Sequence, residues 1–359
     1  MIGILTFQRT NNFGAHLHTI ALYHKIRELG YDCEVIDYLS PELIKRESEE
    51  YMMSINPKRI LWYFLYGHIL KEKHISLINE LKNYVRLSPE YSPINIKESN
   101  NRYDGFLVGS DVVWSLRVTN FDYNYFLSFA EDMKFKCAFS SSVGEVNSED
   151  NDDRLSELLK RFSEIAVRDK TAVDWINRIA EKKAYYVCDP TMLFTREDWD
   201  LLLKPNMYEE DYVLIYFIDP KGQLNHDAIQ YARKRGYNVK IINYGKPVSN
   251  MEAIRPKTLA EFVGLIKHCK ALFTASYHGM LFALYYEREL FYYNRSLKNR
   301  MDSLASKLNI EDHNGDKFEV NTKPIQYKTV NKKIQEFREY SISVLSLMLK
   351  NYGNNVSFI

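Results

Sequence analysis

The sequence predicts an α/β protein with two halves, each built around a mostly parallel β-sheet, that face a cleft. Two observations lead to this fold class. Short runs of β-branched and aromatic residues alternate along the chain with amphipathic helical patterns, as in successive βαβ units. A polar stretch at 192–211, which contains Pro205, interrupts this alternation before a new strand begins. With 359 residues, the chain is long enough for two domains of ordinary size.

The predicted elements follow one another in a regular order. The first strand, at 1–7, leads into a helix at 15–29, which is followed by Gly30, a common residue after a helix end. The remaining strands of the first half are expected at 33–38, 105–108, 136–140, 164–167 and 185–188. In the second half we expect strands at 212–218, 239–243, 271–275 and 290–293, with helices at 223–235, 259–268, 280–286 and 300–308.

The chain after Pro324 contains a long amphipathic helix, expected at 330–349. Its apolar stripe must be buried, and packing back on the first half is the simplest way to bury it. We therefore expect an N-terminal α/β domain at 1–200, a C-terminal α/β domain at 201–325, and a final helical segment at 326–359 that returns to the N-terminal domain.

A segment at 43–91 departs from the alternation, because it is helical, aromatic and basic at both ends of an apolar centre. The apolar part, 60–70, is too short to cross a bilayer, which takes about 20 residues. The segment fits a helical insertion into the N-terminal domain that covers one side of the cleft. It also fits a helix on a membrane surface, with cations near the lipid headgroups. These cations are Lys58, Arg59, Lys71 and Lys73.

The composition limits the function. A formal net charge of +1 gives no general reason to expect a nucleic-acid partner, so an acidic ligand needs a local cluster of cations. The four cysteines, Cys33, Cys137, Cys188 and Cys269, form no CxxC pair and suit reduced thiols. The first residues lack the features of a signal peptide, and no apolar run is long enough to span a membrane. We therefore expect a cytoplasmic protein.

Polar residues and glycines follow several predicted strands at their carboxyl ends, where open α/β sheets bind ligands. Hydroxyls and glycines at a helix start leave backbone N–H groups directed at an anion. Arginine can grip a carboxylate or phosphate with two bonds, and histidine can act as an acid or an anion ligand. The candidates are Asn12, Gly14, Ser110, Asp111, Arg168, Lys170, Ser276, His278 and Gly279.

Each candidate also has a structural interpretation. Asp111 fits a helix cap, Arg168 fits an interdomain salt bridge, and His278 fits a buried histidine of the core. The stretch Asp189-Pro190-Thr191, which follows the sixth strand, fits a turn and a helix cap. The accumulation of such residues at strand ends favours a binding site over a series of unrelated structural roles.

Other kinds of site find little support. His16, His18 and His24 share a predicted helix but not one face at i, i+4 spacing, so we expect no metal site. The sequence has no GxGxxG motif and no P-loop, which leaves the usual dinucleotide and nucleoside-triphosphate sites unsupported.

Taken in order, the strand-end stretches resemble the polysaccharide pyruvyl transferase family. The matching stretches are NNFGAHLHTIAL, YDGFLVGSDVVW, YFLSFA, FSSSVG, IAVRDKTAVDWI, VCDPTMLF and TASYHGMLFALYY, followed by NRMDSLASKLNI. They extend from about residue 2 to residue 310, which is most of the chain. The chain departs from the family pattern at His18 and Val112, where the family often has glutamine.

The resemblance implies a glycosyltransferase-B-like fold with two Rossmann-like domains. It also implies transfer of the pyruvyl group of phosphoenolpyruvate to two hydroxyls of a sugar, as a cyclic ketal, with release of phosphate. His278, in the S-x-H-G motif, and Arg168, in the V-R-[ED] motif, are then catalytic. Lys170 with Arg295 or Arg300 would add positive charge for phosphoenolpyruvate, and Asp111 would deprotonate a sugar hydroxyl. The sequence leaves open whether His278 acts as an acid or as a phosphate ligand.

The partners implied by the resemblance are phosphoenolpyruvate and a glycan acceptor for a cell-surface polysaccharide, such as an exopolysaccharide or a capsule. The acceptor would be lipid-linked or nucleotide-linked at the cytosolic face of the membrane, with peripheral membrane contact of the protein. Neither a metal nor an organic cofactor is required. Two other functions stay open, a glycosyltransferase with a nucleotide-sugar donor and a non-catalytic glycan-binding relative, because a fold does not fix its chemistry.

Overall fold

The computed structural model describes residues 1–49, 51, 57–144, 153–217, 222–294 and 299–356. The chain divides into two compact units. The first comprises Met1–Glu50, Ile78–Leu193 and Phe337–Ile359, and the second comprises Tyr51–Leu77 and Phe194–Glu336. Each unit contains a parallel β-sheet with associated helices, which confirms the predicted α/β fold class.

The helices of the described residues are numbered along the chain. They are α1 (Phe13–Glu28), α2 (Pro41–Glu49), α3 (Pro57–Trp62), α4 (His68–Tyr84), α5 (Leu116–Thr119), α6 (Asp153–Lys160), α7 (Lys170–Ala180), α8 (Arg196–Leu203), α9 (Gln223–Arg235), α10 (Leu259–His268), α11 (Tyr277–Tyr285), α12 (Asn299–Leu308) and α13 (Tyr327–Val356). A π-helical turn at Tyr63–Gly67 joins α3 to α4. Short 3-10 helices lie at Ile96–Asn101, Tyr123–Phe126, Pro190–Leu193, Glu311–His313 and Gly315–Lys317.

The described strands of the first unit form one parallel sheet. They are β1 (Ile2–Leu5), β2 (Cys33–Tyr38), β3 (Leu87–Tyr91), β4 (Gly105–Val108), β5 (Phe135–Ser141), β6 (Glu164–Val167) and β7 (Tyr185–Tyr186), in the spatial order β3-β2-β1-β4-β5-β6-β7. The chain therefore builds outwards from β1 to β3, returns to the other side of β1, and continues from β4 to β7. Because the direction reverses between β1 and β4, their carboxyl ends mark the switch point where such sheets bind ligands.

The sheet of the second unit repeats this plan. Its described strands are β8 (Tyr212–Tyr216), β9 (Asn238–Ile242), β10 (Glu252–Ile254), β11 (Ala271–Thr274) and β12 (Glu289–Tyr292), in the spatial order β10-β9-β8-β11-β12. All neighbouring strands are parallel. The switch point of this sheet therefore lies between the carboxyl ends of β8 and β11.

The central strands are buried along their whole length, because helices cover both faces of a parallel sheet. This burial explains the continuous apolar runs IGIL in β1 and GFLV in β4, which show no polar alternation. The core of the first unit includes Trp114 and Trp175, and that of the second includes Phe273 and Phe291, whose rings stack with centroids 4.8 Å apart.

The final helix returns to the first unit, as the sequence predicted. From Phe337 onwards, α13 belongs to this unit. The Cys188 backbone N–H donates to Ser341 Oγ over 2.9 Å, and Arg338 Nε donates to the Met192 carbonyl over 2.6 Å. These bonds tie α13 to the chain that follows β7.

Two edge strands were not predicted. β3 lies at the end of the segment 43–91, which the sequence predicted to be helical, and it occupies one edge of the first sheet. Pro89 is tolerated there because an edge strand leaves one row of backbone N–H groups without a strand partner. β10 has three residues, too few to give a periodic signal in the sequence.

Candidate functional site

The first group of predicted residues lies at the carboxyl ends of β4 and β6 in the first unit. Arg168 directly follows β6, and Ser110 and Asp111 follow β4 after Gly109. β5 lies between these two strands in the sheet, so the residues come from loops separated by a single strand. We call Asp111, Arg168 and Asp189, with Ser110, the arginine cluster.

Arg168 is held between two carboxylates. Its Nη1 donates to Asp189 Oδ2 over 2.5 Å, and its Nη2 donates to Asp111 Oδ1 over 2.7 Å. The side chain of Arg168 is 1% exposed and that of Asp189 is fully buried, whereas Asp111 keeps 13% exposure. With one guanidinium and two carboxylates, the three side chains carry a net charge of about −1 when all are ionised. Both salt-bridge partners of Arg168 lie within the first unit.

Asp189 is the member of the arginine cluster that the sequence analysis assigned to a turn and a helix cap and not to the site. Its Oδ1 accepts hydrogen bonds from the Thr191 backbone N–H over 3.0 Å and from Thr191 Oγ1 over 2.8 Å. The turn expected for Asp189-Pro190-Thr191 is therefore present as well, as a 3-10 helix that begins at Pro190. One oxygen of Asp189 serves this turn and the other binds Arg168, so the carboxylate is fixed on both sides.

Asp111 sits in a constrained loop. Its φ of 71° is in the left-handed region, and its Oδ1 accepts from the Val112 backbone N–H over 2.9 Å. Aspartate tolerates this conformation better than most residues. A Cβ on Gly109 would lie 2.0 Å from the Phe139 carbonyl oxygen, so glycine is required where the loop leaves β4. His18, buried on α1, places Nε2 3.9 Å from Asp111 Oδ2.

Ser110 and the two predicted residues at the start of α1 have structural partners. Ser110 is fully buried, and its Oγ donates to the Ser140 carbonyl over 3.1 Å while lying 3.4 Å from Arg168 Nη1. Asn12 is the N-cap of α1, and its side chain accepts from the Gly14 backbone N–H over 2.9 Å. The cap satisfies one of the N–H groups that a helix start leaves open.

Lys170 lies apart from the hydrogen bonds of the arginine cluster. It is the first residue of α7, it is exposed, and its ammonium lies 5.9 Å from the centre of the Tyr186 ring. Lys170 is therefore a solvent-exposed residue beside the arginine cluster in sequence, but not a member of it.

The second group of predicted residues lies at the carboxyl end of β11 in the second unit. Ser276 is the N-cap of α11, and its Oγ accepts from the Gly279 backbone N–H over 3.2 Å. His278 is 5% exposed and lies in the first turn of α11. The position is the switch point of this sheet, and the start of a helix favours negative charge through its aligned peptide dipoles.

Gly279 is glycine because the helix start packs tightly against the sheet. A Cβ at this position would lie 2.8 Å from Thr274 Oγ1 and 3.1 Å from Tyr216 Cδ1. Thr274 Oγ1 in turn donates to the Tyr216 carbonyl over 2.6 Å and accepts from the Ser276 backbone N–H over 3.0 Å. The absence of a Cβ therefore lets α11 begin directly on β8 and β11.

Arg300 joins this second group through an aromatic residue. Its guanidinium carbon lies 4.9 Å from the centre of the Tyr277 ring, within range of a cation–π contact. The Tyr277 ring meets the His278 ring edge to face, with centroids 5.8 Å apart. We call Ser276, Tyr277, His278, Gly279 and Arg300 the histidine cluster. Arg295, which the sequence also proposed, lies outside the described residues.

The structure thus arranges the predicted residues in two clusters. Direct contacts join Arg168, Asp111 and Ser110 in the first unit. In the second unit, Tyr277 links His278 to Arg300. The sequence analysis named neither Asp189 nor Tyr277 as a site residue, although both lie in stretches that follow predicted strands. The signal was present in the stretches CDPT and SYHG, which follow strands. Chemically, the first cluster offers a partly exposed carboxylate, and the second offers a guanidinium and an imidazole.

Among the described residues, no group of three or more histidine, cysteine or acidic side chains could hold a metal ion. In the same ranges, no helix has the length and apolar character needed to cross a membrane.

Comparison with known proteins adds a family and a fold. The model of the polysaccharide pyruvyl transferase family matches residues 12–296, a range that includes both clusters except Arg300. No curated protein matches the sequence.

Among solved structures, the chain is similar to the UDP-GlcNAc 2-epimerase of Neisseria meningitidis bound to UDP-GlcNAc. The sequence identity is 11%, the TM-score is 0.50, and the match covers 96% of this chain and 93% of that chain. The UDP-N-acetylglucosamine 2-epimerase of Rickettsia bellii is 8% identical, with a TM-score of 0.49 and coverage of 100% of this chain and 99% of that chain. The first likeness shows the fold alone, and that fold is of the glycosyltransferase-B type.

Proposed function

We propose that this chain, which belongs to the polysaccharide pyruvyl transferase family, transfers the pyruvyl group of phosphoenolpyruvate to a sugar. The product is a cyclic ketal that bridges two hydroxyls of the sugar, and phosphate is released. The single observation that carries the proposal is the family match over residues 12–296. Two chemically suitable clusters at sheet switch points support it, because these positions bind ligands in folds of this kind.

The histidine cluster is the proposed binding site for phosphoenolpyruvate. This donor carries a carboxylate and a phosphate, and the cluster supplies the Arg300 guanidinium, the His278 imidazole and a helix start. Each of these favours negative charge. His278 is proposed either to protonate the methylene carbon of the donor or to bind the leaving phosphate, whose charge grows during the reaction.

The arginine cluster is proposed to act on the sugar acceptor. Asp111 is its partly exposed carboxylate, and the Arg168 bond fixes the direction of that carboxylate. Asp111 is proposed to accept the proton of a sugar hydroxyl, which makes the hydroxyl oxygen a nucleophile. Protonation neutralises Asp111 and so removes one negative charge from the arginine cluster. The V-R-[ED] resemblance further implies a contact between Arg168 and an anion of the reaction.

The overall reaction is balanced without a further reactant. The methylene carbon of phosphoenolpyruvate gains one proton, and the two sugar hydroxyls lose one each. At the central carbon of phosphoenolpyruvate, two new carbon–oxygen bonds to the sugar replace the π bond to the methylene carbon and the bond to the leaving phosphate. The remaining proton leaves with the phosphate or with the base.

We further propose that the acceptor is a precursor of a cell-surface polysaccharide, lipid-linked or nucleotide-linked, and that the reaction takes place at the cytosolic face of a membrane. A matched pair of assays separates the two kinds of acceptor. Phosphate release from phosphoenolpyruvate is measured with a lipid extract and with nucleotide sugars, each in turn. Release only with the lipid extract supports a lipid-linked acceptor, and release only with nucleotide sugars excludes it.

A nucleotide-sugar enzyme is the second candidate function. The observation that favours it is the similarity of the fold to the UDP-GlcNAc 2-epimerase of Neisseria meningitidis. A fold supports many chemistries, so this likeness ranks below the family match. The third candidate is a non-catalytic glycan-binding protein. A sugar would then stabilise the protein, and no phosphate would be released from phosphoenolpyruvate.

Thermal shift with phosphoenolpyruvate tests the donor. A ligand at a hundredfold excess over its Kd stabilises a protein by about 2.7 kcal/mol, which raises Tm by several degrees. We expect this shift for the wild type and for the control His226→Ala, whose side chain is 75% exposed. His278→Ala should lose most of it, whereas Arg168→Ala should keep it, because the proposed donor site is the histidine cluster. The shift is taken against each variant's own ligand-free Tm, because Arg168→Ala also removes a buried ion pair.

Two controls decide between the candidates. Stabilisation by UDP-GlcNAc but not by phosphoenolpyruvate would favour the nucleotide-sugar enzyme over the pyruvyl transferase. Equal stabilisation of the wild type and His278→Ala by phosphoenolpyruvate would show that the histidine cluster does not bind the donor.

A further inference from the structure

The helical segment before β3 exposes a cluster of large apolar side chains. Leu61 is 61% exposed, Phe64 64%, Leu65 50% and Ile75 49%. Phe64 and Leu65 lie three and four residues after Leu61, which places these three side chains on one side of the helix, and the exposed Ile75 follows ten residues after Leu65. Burying Leu and Phe in a protein or a membrane is favourable, so exposed apolar side chains grouped in this way mark an interaction surface. We call these four residues the apolar face.

Cations surround the apolar face. Lys58, Arg59 and Lys71 are exposed, and residues 57–71 include no aspartate or glutamate. The next acidic residue, Glu72, already receives a bond of 2.7 Å from Lys257 Nζ. Between the exposed residues lie half-buried rings that suit the boundary between lipid headgroups and acyl chains. They are Tyr63 and Tyr66.

The opposite side of the same helix is anchored in the second unit. A Cβ added to Gly245 would lie 3.2 Å from the Trp62 ring, and the Lys73 ammonium lies 4.5 Å from the centre of the Tyr244 ring. Lys73 is 7% exposed, so it does not join the surface cations. Tyr244 and Gly245 follow β9, at the carboxyl edge of the second sheet. The histidine cluster follows β11 at this same edge.

From these contacts we propose that the apolar face docks the protein on the surface of an anionic lipid bilayer. The Leu and Phe side chains insert between the headgroups, and Lys58, Arg59 and Lys71 contact lipid phosphates. A lipid surface fits better than a second copy of the chain. Stable protein interfaces bury about 800 Å² per partner, more than four partly exposed side chains provide. Apolar side chains enter a bilayer without a complementary partner surface.

Docking would hold the protein at the membrane surface, where a lipid-linked acceptor is found. This last step rests on the proposed function, whereas the docking itself does not. The helix lies on the bilayer and does not cross it, since the apolar part is far shorter than the roughly 20 residues of a membrane span.

Flotation with lipid vesicles tests the docking. The full-length protein is mixed with vesicles of phosphatidylcholine alone or with added phosphatidylglycerol, and the floated fraction is measured. We expect binding to the anionic vesicles and at least about a tenfold weaker association for the triple variant Leu61→Gln/Phe64→Gln/Leu65→Gln. Lys58→Gln/Lys71→Gln should bind more weakly at low salt and resemble the wild type at high salt.

The matched control replaces three exposed apolar residues elsewhere, Ile94→Gln/Met133→Gln/Leu201→Gln, and should bind like the wild type. These residues are 93%, 78% and 79% exposed. Equal flotation of the two triple variants would overturn the proposal. So would a wild-type dimer that becomes monomeric only in the Leu61 variant and does not float, because the face would then join two copies. Stabilisation by phosphoenolpyruvate is measured in parallel, so docking and donor binding succeed or fail separately.

Discussion

Arg168 Nη1 donates to Asp189 Oδ2 over 2.5 Å, and both side chains are shielded from solvent. The second carboxylate on this guanidinium, Asp111, is the one that reaches solvent. The arrangement separates two roles. Asp189, fixed by Thr191, holds the guanidinium, and the guanidinium holds Asp111. Arg168 is therefore a positioning residue in the structure as it stands, and its contact with an anion is a proposal about the reaction.

The first prediction concerns stability. Asp189→Asn should lower the free energy of unfolding by about 3–5 kcal/mol, because removing one partner leaves a buried charge poorly compensated. Asp111→Asn should cost less, since water reaches this site. Urea unfolding of both variants gives the comparison. The exposed pair Arg196 and Glu197 supplies the control, Glu197→Gln, which should change stability by less than about 1 kcal/mol. Equal losses of unfolding free energy in Asp189→Asn and Asp111→Asn would contradict the prediction that the buried Asp189 contributes more than Asp111.

The second prediction concerns proton transfer. Asp111→Asn should reduce kcat for pyruvyl transfer at least about a hundredfold, because an amide cannot accept the hydroxyl proton. The thermal shift with phosphoenolpyruvate should remain, since the proposed donor site is the histidine cluster. Asp132→Asn, at a carboxylate that is 88% exposed, should keep the wild-type rate. An unchanged rate for Asp111→Asn would remove Asp111 from the mechanism, whereas a lost thermal shift would assign it to donor binding instead.

The third prediction concerns the packing of α11. Gly279→Ala should destabilise the protein by about 1–3 kcal/mol, because the new Cβ would press on Thr274 Oγ1 and Tyr216. Thr274 cannot move away without breaking its two hydrogen bonds. The comparison is Gly353→Ala in α13, where the nearest atom would lie 3.7 Å away. That change should be neutral or stabilise by up to about 1 kcal/mol. Thermal unfolding that showed Gly279→Ala to be neutral would argue against this tight contact.

The fourth prediction concerns pH. Burial raises the pKa of the Glu289 carboxyl from 4.5 to about 7, an effect that Arg235 partly offsets. Between these two values the folded protein keeps a proton that the unfolded chain has released. The free energy of unfolding therefore falls as pH rises through this window, by at most about 3 kcal/mol. Glu289→Gln imitates the protonated form, so it should be nearly neutral at pH 5 and stabilising at pH 8.

Urea unfolding at pH 5 and pH 8 measures this difference, with the exposed Glu209→Gln as the control that should show no pH-dependent gain. His313 Nδ1 lies 3.3 Å from Glu289 Oε1, but burial lowers the pKa of His313. Burial thus disfavours the charged form of both groups in this contact. A clear loss of stability for Glu289→Gln at pH 5 would contradict this prediction, because it would mean that His313 and Glu289 form a charged pair there.

Much of the fold could be predicted because the central strands are buried on both faces. Runs such as YVLIY in β8 and ALFT in β11 stand out against their polar surroundings. The edge strands β3 and β10 could not be predicted, since an edge strand owes its structure to a neighbour rather than to its own pattern. For the candidate site, the sequence identified the strand ends that carry Asp111, Arg168 and His278. It did not reveal their partners.

By itself, the sequence determined the α/β class, the repeated use of strand ends and the family to which the chain belongs, since each depends on local patterns and short motifs. Only the tertiary structure decided that Asp189 and Asp111 share Arg168, because that contact depends on the order of β4, β5 and β6 in the sheet. It also decided which side of the segment around Phe64 is exposed. That segment is apolar on several sides. Its exposed face is the one opposite Trp62 and Lys73, which contact Gly245 and Tyr244.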